Sequence, residues 1–482
     1  MILYETDDAI IIIIYYVIIS FTGKVRGRCH ADSCNLRLKE ARFLPVVFQN
    51  LSHFEGRLII KAVGKFGQQA VTVLPQTLDT YISISVNRCR YLDFKRFLKA
   101  PLNDLVEILR SKSGADSFSF AKQFVSEELL DSVLRRQVFC ADYIDSVNRL
   151  SETSLPQVDA FYDRVNDKHI SATEYQNVQQ LWTQLEMKTL DDYLRHHLTM
   201  QSILFADVLE NFRNVMMKDY RLDILHYYSL PGFSWDSCLF FSEVCLELIT
   251  DEEMHAAVLH GIRGGSTVVG TPRLARANNQ HMPEGCYDPG KPNSYIYYFD
   301  FNALYPSVMA DYPLPTHGFR WLSEFEVENF DPRTVPADSD TGYILICDIE
   351  YPEALHDTHD AYPMCPENTV IGEDDVSQYT RDLAESCNLK LRAERKLCLS
   401  LKPKSHYPVH YRTLQFYLRH GVVVTKVHKV VAFRQSSWLY DFMRYTSDKR
   451  SSATNDFDNM LYKSVANNVF GTYKCSLLFL SN

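Results

Sequence analysis

With 482 residues and 46% apolar side chains, the chain is too long for one hydrophobic core, which predicts two or three folded domains and excludes wholesale disorder. A formal charge of −10 excludes a protein that coats nucleic acid by net attraction alone, though not an enzyme with local basic stripes. The 12 cysteines form no Cys-x-x-Cys pair, which argues against a disulfide framework and for a reducing, intracellular setting, nuclear or cytoplasmic.

The apolar run at residues 9–19 is shorter than the about 20 residues a bilayer demands. Asp7 and Asp8 precede it, where a secretory leader carries positive charge. It reads as a buried strand or as a poorly defined start of the chain, the segment 1–29, and no membrane role follows. Residues 22–36 (TGKVRGRCHADSCNL) resemble the tail of a zinc-binding insert, which implies His30 and Cys34 as what is left of its ligands, and two ligands do not close a tetrahedral zinc site. Residues 40–60 predict a strand, a turn at 49–55 and an apolar continuation through Leu58, Ile59 and Ile60. Leu204, Val208, Phe212, Val215 and Met216 form the stripe of a helix over 203–219.

Between 261 and 290 the composition turns to Gly, Pro and Asn (GIRGGSTVVGTP, then DPGKPNS), which places a domain boundary at 260/261. Residues 295–301 predict a strand that gives way to a short helix from about Ala303, and 343–351 predict another strand. Lys390, Arg392, Arg395 and Lys396 fall on a basic helical segment, and a last helix covers 456–469 before FGTYK. The 29 tyrosines and 28 phenylalanines fit base-stacking surfaces or aromatic cores, of which cores are the commoner explanation.

A carboxylate at the end of a strand, as predicted for Asp300, is where phosphoryl transfer to a nucleic-acid 3′ end places its magnesium ions. Alone, such an Asp is weak evidence, because about a third of such residues merely cap the next helix. The whole string DFNALYPSVM, 300–309, is far more specific, and it resembles the first polymerase motif of B-family DNA polymerases. That resemblance implies that Asp300 ligates Mg²⁺ and that the backbone after it cradles the triphosphate of a dNTP. It also implies that Tyr305 packs under the deoxyribose, where a 2′-hydroxyl clashes; taken alone, Tyr305 reads as core packing. KSVANNVFG, 463–471, is similar to a second motif of the same family, with Asn468 where Ser is usual. Lys463 then neutralises the triphosphate, Asn467 bonds the nucleotide or the minor-groove edge, and Gly471 permits close approach to the nascent base pair. Lys449 and Arg450 are further phosphate contacts or a solvated basic face. GIRGGS, 261–266, looks like the family's loop between its exonuclease and polymerase parts, with Arg263, Gly264 and Gly265 against template phosphates.

PVVFQNLSHFEGRLI resembles the second motif of the proofreading 3′–5′ exonuclease, with Asn50 in place and Glu55 where Asp is usual. In HLTMQSILFADVLENF, His197 falls at the position of a water-orienting Tyr, and neutral Gln201 replaces a metal-binding Asp. Asp207 lies six residues on, about 120° round a helix, and does not restore that charge. The implied fold class is α/β (α+β): a degenerate RNase H-like exonuclease domain over 30–260, then a partial polymerase palm with fingers over 261–482. The resemblance is to the protein-primed polymerases of Polinton/Maverick-type elements, viruses and linear plasmids. Their partners are primer-template DNA, dNTPs and a terminal protein primer. The third polymerase motif, with its paired carboxylates, is not found after Gly471, so the expectation is a chain that neither polymerises nor degrades DNA. The alternative is a non-catalytic nucleic-acid-binding or interaction module built on the same scaffold.

Overall fold

The structure is a computed structural model that describes residues 17–18, 43–63, 71–266 and 274–478. Packing divides the chain into two units, Met1–Glu243 with Asp441–Cys475, and Val244–Tyr440 with Ser476–Asn482. This division runs upstream of the expected boundary at 260/261. The helix Glu252–Gly261 belongs with the second unit because Met254 and Val258 pack on Val431 and Phe433.

The first unit holds a five-stranded sheet in the order β1 (Val17–Ile18), β2 (Leu44–Phe48), β5 (Cys89–Asp93), β4 (Tyr81–Val86) and β3 (Val71–Pro75). β2 and β5 run parallel and the other pairs antiparallel. Parallel strands covered on both faces read as continuous apolar runs, and Val46, Val47 and Phe48 of β2 are all buried. The expected turn at 49–55 is instead Asn50 followed by a π-helical turn, Leu51–Glu55, that feeds the helix Gly56–Val63. Leu58, Ile59 and Ile60 are therefore helical, and Ile59 packs with Val46, Phe48, Leu51 and Ile84. Three adjacent apolar residues carry no period, so neighbouring packing decides their conformation.

The helix expected over 203–219 extends over Leu190–Tyr220. It starts where Thr189 and Asp192 form a reciprocal capping box and ends at Arg221 in the left-handed region (φ 59°). Leu204, Val208, Phe212 and Met216 are buried along one face, and Val215 is half-buried. Two later helices, Tyr440–Ser451 and Asp456–Leu478, complete this unit. The second of them begins as expected and runs on through Gly471, which is thus inside a helix rather than at its cap.

The second unit is built on an antiparallel sheet in the order β10 (Lys404–His410), β7 (Thr341–Glu350), β11 (Val423–Ser436) and β6 (Leu314–Trp321), beside a hairpin of β8 (Glu367–Ile371) and β9 (Glu394–Cys398). One face buries Leu345, Cys347 and Ile349 with Tyr407, Val409, Tyr411 and Leu414. Over the other, Val431 and Phe433 meet Ile249 and Met254. β7 is the strand expected over 343–351.

Two expectations in this unit are corrected. Residues 295–301 form no strand but an extended, exposed segment that enters the helix Leu304–Asp311 through Ala303 in the left-handed region (φ 55°). The residue types do favour a strand, and Tyr297 stacks on Tyr295 and Phe299 at alternating positions (centroids 6.3 and 5.9 Å). A strand also needs a neighbouring backbone, and edge strand β6 pairs only with β11. The basic helix over 390–396 is likewise absent. The helix Gln378–Ser386 is stopped by Asn388 at φ 53°, and Arg395 and Lys396 lie on β9 opposite Val370 and Thr369.

His30 and Cys34 lie outside the described residues, as does most of 1–29; Val17 and Ile18 pair with Val47 and Val46 as a strand. Among the described residues no helix is long and apolar enough to cross a membrane.

Candidate functional site

Asp300 is positioned by the loop before it and the helix after it. Asn278 and Ser294 exchange both backbone hydrogen bonds (3.1 and 2.8 Å), closing the loop between them. The Asn278 amide donates to the carbonyls of Asp288 and Pro292, and its Oδ1 accepts from the N–H of Asp288 (2.8 Å), filling the loop with its own polar contacts. Beyond Ser294 the chain runs extended to Asp300, which is exposed, and the left-handed turn at Ala303 starts the helix. Ser307 N–H bonds the Ala303 carbonyl (3.0 Å), and buried Met309 and Ala310 anchor the helix to the unit. Tyr305, in its first turn, is half-exposed. The expected setting at the mouth of a sheet is therefore replaced by an exposed bend between an extended segment and a helix.

Arg263 is occupied inside the protein. Its guanidinium donates to the carbonyls of Pro408 (2.9 Å) and Gly261 (3.2 Å) and stacks over the Tyr407 ring at 3.9 Å. That tethers the Gly-rich loop to β10. Gly264 and Gly265 are exposed, with open space where a side chain would stand.

The second motif lies in the first unit. Along the helix Asp456–Leu478, Leu461, Val465 and Val469 face the core while Lys463, Asn467 and Phe470 are exposed, so the predicted common face points to solvent. Arg450 donates to Asn459 Oδ1 (3.1 Å). Lys449 is paired with Asp219 (2.7 Å), a hydrogen bond that raises its pKa, and the Tyr462 hydroxyl donates to the same carboxylate (2.7 Å). Asp300, Tyr305, Arg263, Gly264 and Gly265 thus belong to one unit, and Arg450, Lys463, Asn467 and Gly471 to the other.

Asn50, Glu55, His197 and Gln201 all fall in the first unit. Asn50 precedes the π turn after β2, and Glu55 is that turn's last residue. Beside them, at the end of parallel β5, stands Asp93, which the sequence reading did not single out; its register partner is Phe48. Its buried carboxylate accepts from the N–H groups of Ser52 (2.8 Å) and Lys95 (2.9 Å), so it caps two helical starts rather than facing a ligand. The His197 ring stacks on Phe139 at 5.3 Å, and burial lowers its pKa to about 4, leaving it neutral. Half-buried Gln201 is one helical turn further. Asp207 is closed to metal: burial raises its pKa, and its oxygens accept from the N–H groups of Phe120 (2.8 Å) and Ala121 (3.0 Å) at the start of the helix Ala121–Phe124.

Magnesium favours carboxylate oxygens and leaves room for water and phosphate ligands. Among the described residues, the group of three ligating side chains is Asp348, His406 and His428, and Asp300 is not part of it.

A family model for DNA polymerase type B, organellar and viral, matches residues 40–476. Among solved structures, the phi29 DNA polymerase complexed with primer-template DNA and incoming nucleotide substrates is similar, with 12% identity and a TM-score of 0.48 over 89% of this chain and 59% of that one. The same phage polymerase complexed with single-stranded DNA gives 11% identity and a TM-score of 0.42 over the same shares. No curated protein sequence matches the chain. The chain thus spans 59% of the length of these solved structures. The match over 40–476 takes in Asp300, Tyr305, Lys463 and Asn467 together, and the chain belongs to the type B DNA polymerases of organelles and viruses.

Proposed function

We propose that the chain is the nucleotide- and DNA-handling part of a protein-primed DNA-directed DNA polymerase of the Polinton/Maverick kind, acting inside the cell, in nucleus or cytoplasm. The observation that carries this reading is the DFNALYPSVM string with Asp300 exposed at the entry to the helix Leu304–Asp311, inside the family match. In this reading residues 30–260 are a degenerate RNase H-like exonuclease domain and 261–482 a partial palm with fingers. Asp300 would hold Mg²⁺, and the chemistry such an ion would supply there is activation of a 3′-hydroxyl and neutralisation of charge on pyrophosphate. Tyr305 excludes a 2′-hydroxyl. Lys463 and Asn467, exposed one turn apart, meet the triphosphate and the nucleotide, with Arg450 as a further phosphate contact. Gly264, Gly265 and Gly471 allow close approach of DNA, and Arg263 acts on the template only through the loop it tethers. A terminal protein supplies the priming hydroxyl.

We further infer that the chain of 482 residues is catalytically silent alone. Among the described residues the group of three ligating side chains does not include Asp300, Gln201 is neutral, and Asp207 is engaged by the N–H groups of Phe120 and Ala121. The test is primer-template binding, primer extension and single-strand degradation by the purified chain with Mg²⁺ and dNTPs. Expected are salt-dependent DNA binding weakened by Lys463→Ala, no extension and no degradation. Robust extension would refute the silence, as would degradation abolished by Glu55→Gln; failure to bind any DNA would refute the polymerase reading.

The engaged Asp207 and neutral Gln201 also favour a second reading, a non-catalytic DNA-binding module derived from the same scaffold. DNA affinity unchanged in Asp300→Ala, with no activity restored by any divalent ion, selects that reading.

A further inference from the structure

On the second unit's sheet, three strands bring together residues that the polymerase reading leaves unused. Asp348 lies on β7 with β10 on one side and β11 on the other. Its neighbours Cys347 and Ile349 point into the core, so its carboxylate is on the opposite face. Both flanking ladders are irregular at this level. Between Lys404, opposite Ile349, and Tyr407, opposite Cys347, β10 inserts an extra residue, and His406 there has a left-handed backbone (φ 49°). Between Val427, opposite Cys347, and Lys429, opposite Ile346, β11 inserts His428. A bulge re-aims the side chain it carries. Here two bulges on different strands aim two imidazoles at one carboxylate, and a positive φ at a non-glycine residue is a strained backbone conformation.

The resulting geometry is a ligand set. His428 Nε2 is 2.8 Å from Asp348 Oδ2, and His406 Nδ1 is 3.9 Å from Oδ1. The rings stack at 4.0 Å with 14° between their planes. The His406 N–H donates to Asp348 Oδ1 (2.8 Å), fixing the carboxylate, and Ser405 Oγ lies 3.0 Å from His406 Nδ1. One ligand atom from each of the three lies within 4.8 Å of the others. Ligands on a tetrahedral zinc stand about 3.4 Å apart, given Zn–N and Zn–O bonds near 2.1 Å. Closing that gap needs one side chain to swing, and His406, 68% exposed, has the room.

We propose that Asp348, His406 and His428 form a binding site for a borderline divalent transition-metal ion of the zinc class, with a remaining coordination position open to water. Two imidazoles and one carboxylate suit Zn²⁺, Co²⁺ or Ni²⁺ and disfavour Mg²⁺, which prefers oxygen throughout. Bound there, the ion cross-links β10, β7 and β11, so its binding energy adds to the stability of this unit. The site is separate in residues and in metal class from the magnesium chemistry proposed for Asp300.

The test is titration of the full chain with Zn²⁺ and Co²⁺, by calorimetry, visible absorption and thermal unfolding. One ion per chain, a visible Co²⁺ band and a Zn²⁺-dependent rise in Tm that Mg²⁺ does not reproduce are expected. Asp348→Asn and His428→Gln should weaken binding at least tenfold, while His420→Gln, on a helix end elsewhere, should leave it unchanged. Equal binding by wild type and both site variants overturns the proposal, as does absence of binding in the wild type. Should the site variants fail to fold, the wild-type chain still decides: Zn²⁺ must protect His406 and His428 from acylation by diethyl pyrocarbonate more than it protects His420. Equal modification overturns the assignment.

Discussion

His197 shows how environment sets what a side chain can do. Its ring stacks on Phe139, and desolvation puts its pKa at about 4, against about 6.5 for an unhindered imidazole. A histidine whose folded-state pKa is depressed binds a proton in the unfolded chain before it does so in the native one. Stability from this group is thus complete above about pH 6.5 and drains as pH falls through the window down to about 4. The loss amounts to about 3 kcal/mol. His197→Phe keeps the stack and removes the titration, so the difference in unfolding free energy between variant and wild type should grow in the variant's favour from pH 6.5 to 4.5. A difference that stays flat across that range would show that the ring is solvated. The same residue marks a limit of sequence reading. HLTMQSILFADVLENF places a histidine on a helix, but does not tell that Phe139 covers the ring, because that neighbour arrives from a distant part of the chain.

At the scale of elements, periodic segments were legible and partner-dependent ones were not. The stripe Leu204, Val208, Phe212, Met216 announced a helix because a helix satisfies its own backbone, and the structure extends it to Leu190–Tyr220. Residues 343–351 announced β7, whose alternation of buried Leu345, Cys347 and Ile349 is strong. Residues 295–301 carry an equally strong strand composition, yet pairing is a property of two segments and cannot be read from one. The Asp348, His406, His428 group was missed for the same reason: each sits on a different strand, and no spacing in the chain joins them. Two predictions belong here. Gly342 in β7 has the Phe433 ring and the Gln435 side chain where a Cβ would stand, and Gln435 in turn donates to Ser339 O (2.7 Å) and the Tyr411 hydroxyl (3.1 Å). Gly342→Ala should therefore cost about 1–3 kcal/mol of stability, measured by denaturant unfolding; a change under about 0.5 kcal/mol would mean the sheet yields freely there. The extended segment exposes Tyr298 (93%) and Phe299 (86%) among adjacent aromatics. Contiguous exposed apolar surface promotes association, so Tyr298→Ser with Phe299→Ser should lower light scattering and dye binding in concentrated solution without lowering Tm. Unchanged association would place the adhesive surface elsewhere.

At the scale of the molecule, the first unit is closed by chain that the sequence assigned to the second domain. After the boundary at Glu243, the chain builds the whole of β6–β11 before residues 441–475 return. Phe442, fully buried, sets its ring against Tyr220 (5.9 Å) and Phe241 (5.9 Å), and Tyr445 joins the same pair. Asp219 ties Lys449 and the Tyr462 hydroxyl, and Lys112 pairs with buried Asp458 (2.5 Å). Every one of these contacts lies within the first unit, so the stability of Leu190–Tyr220 depends on residues far downstream in sequence. Phe442→Ala removes a fully buried ring and should destabilise by about 3–5 kcal/mol. Its site of action is the sharper forecast. Hydrogen exchange in the variant should speed up along Leu190–Tyr220, while the amides of β7, β10 and β11 keep their wild-type protection, because cooperative opening follows packed units rather than sequence order. Were the domain boundary at 260/261 also the boundary of packing, the pattern would reverse: the β7 amides would lose protection and the long helix would keep it.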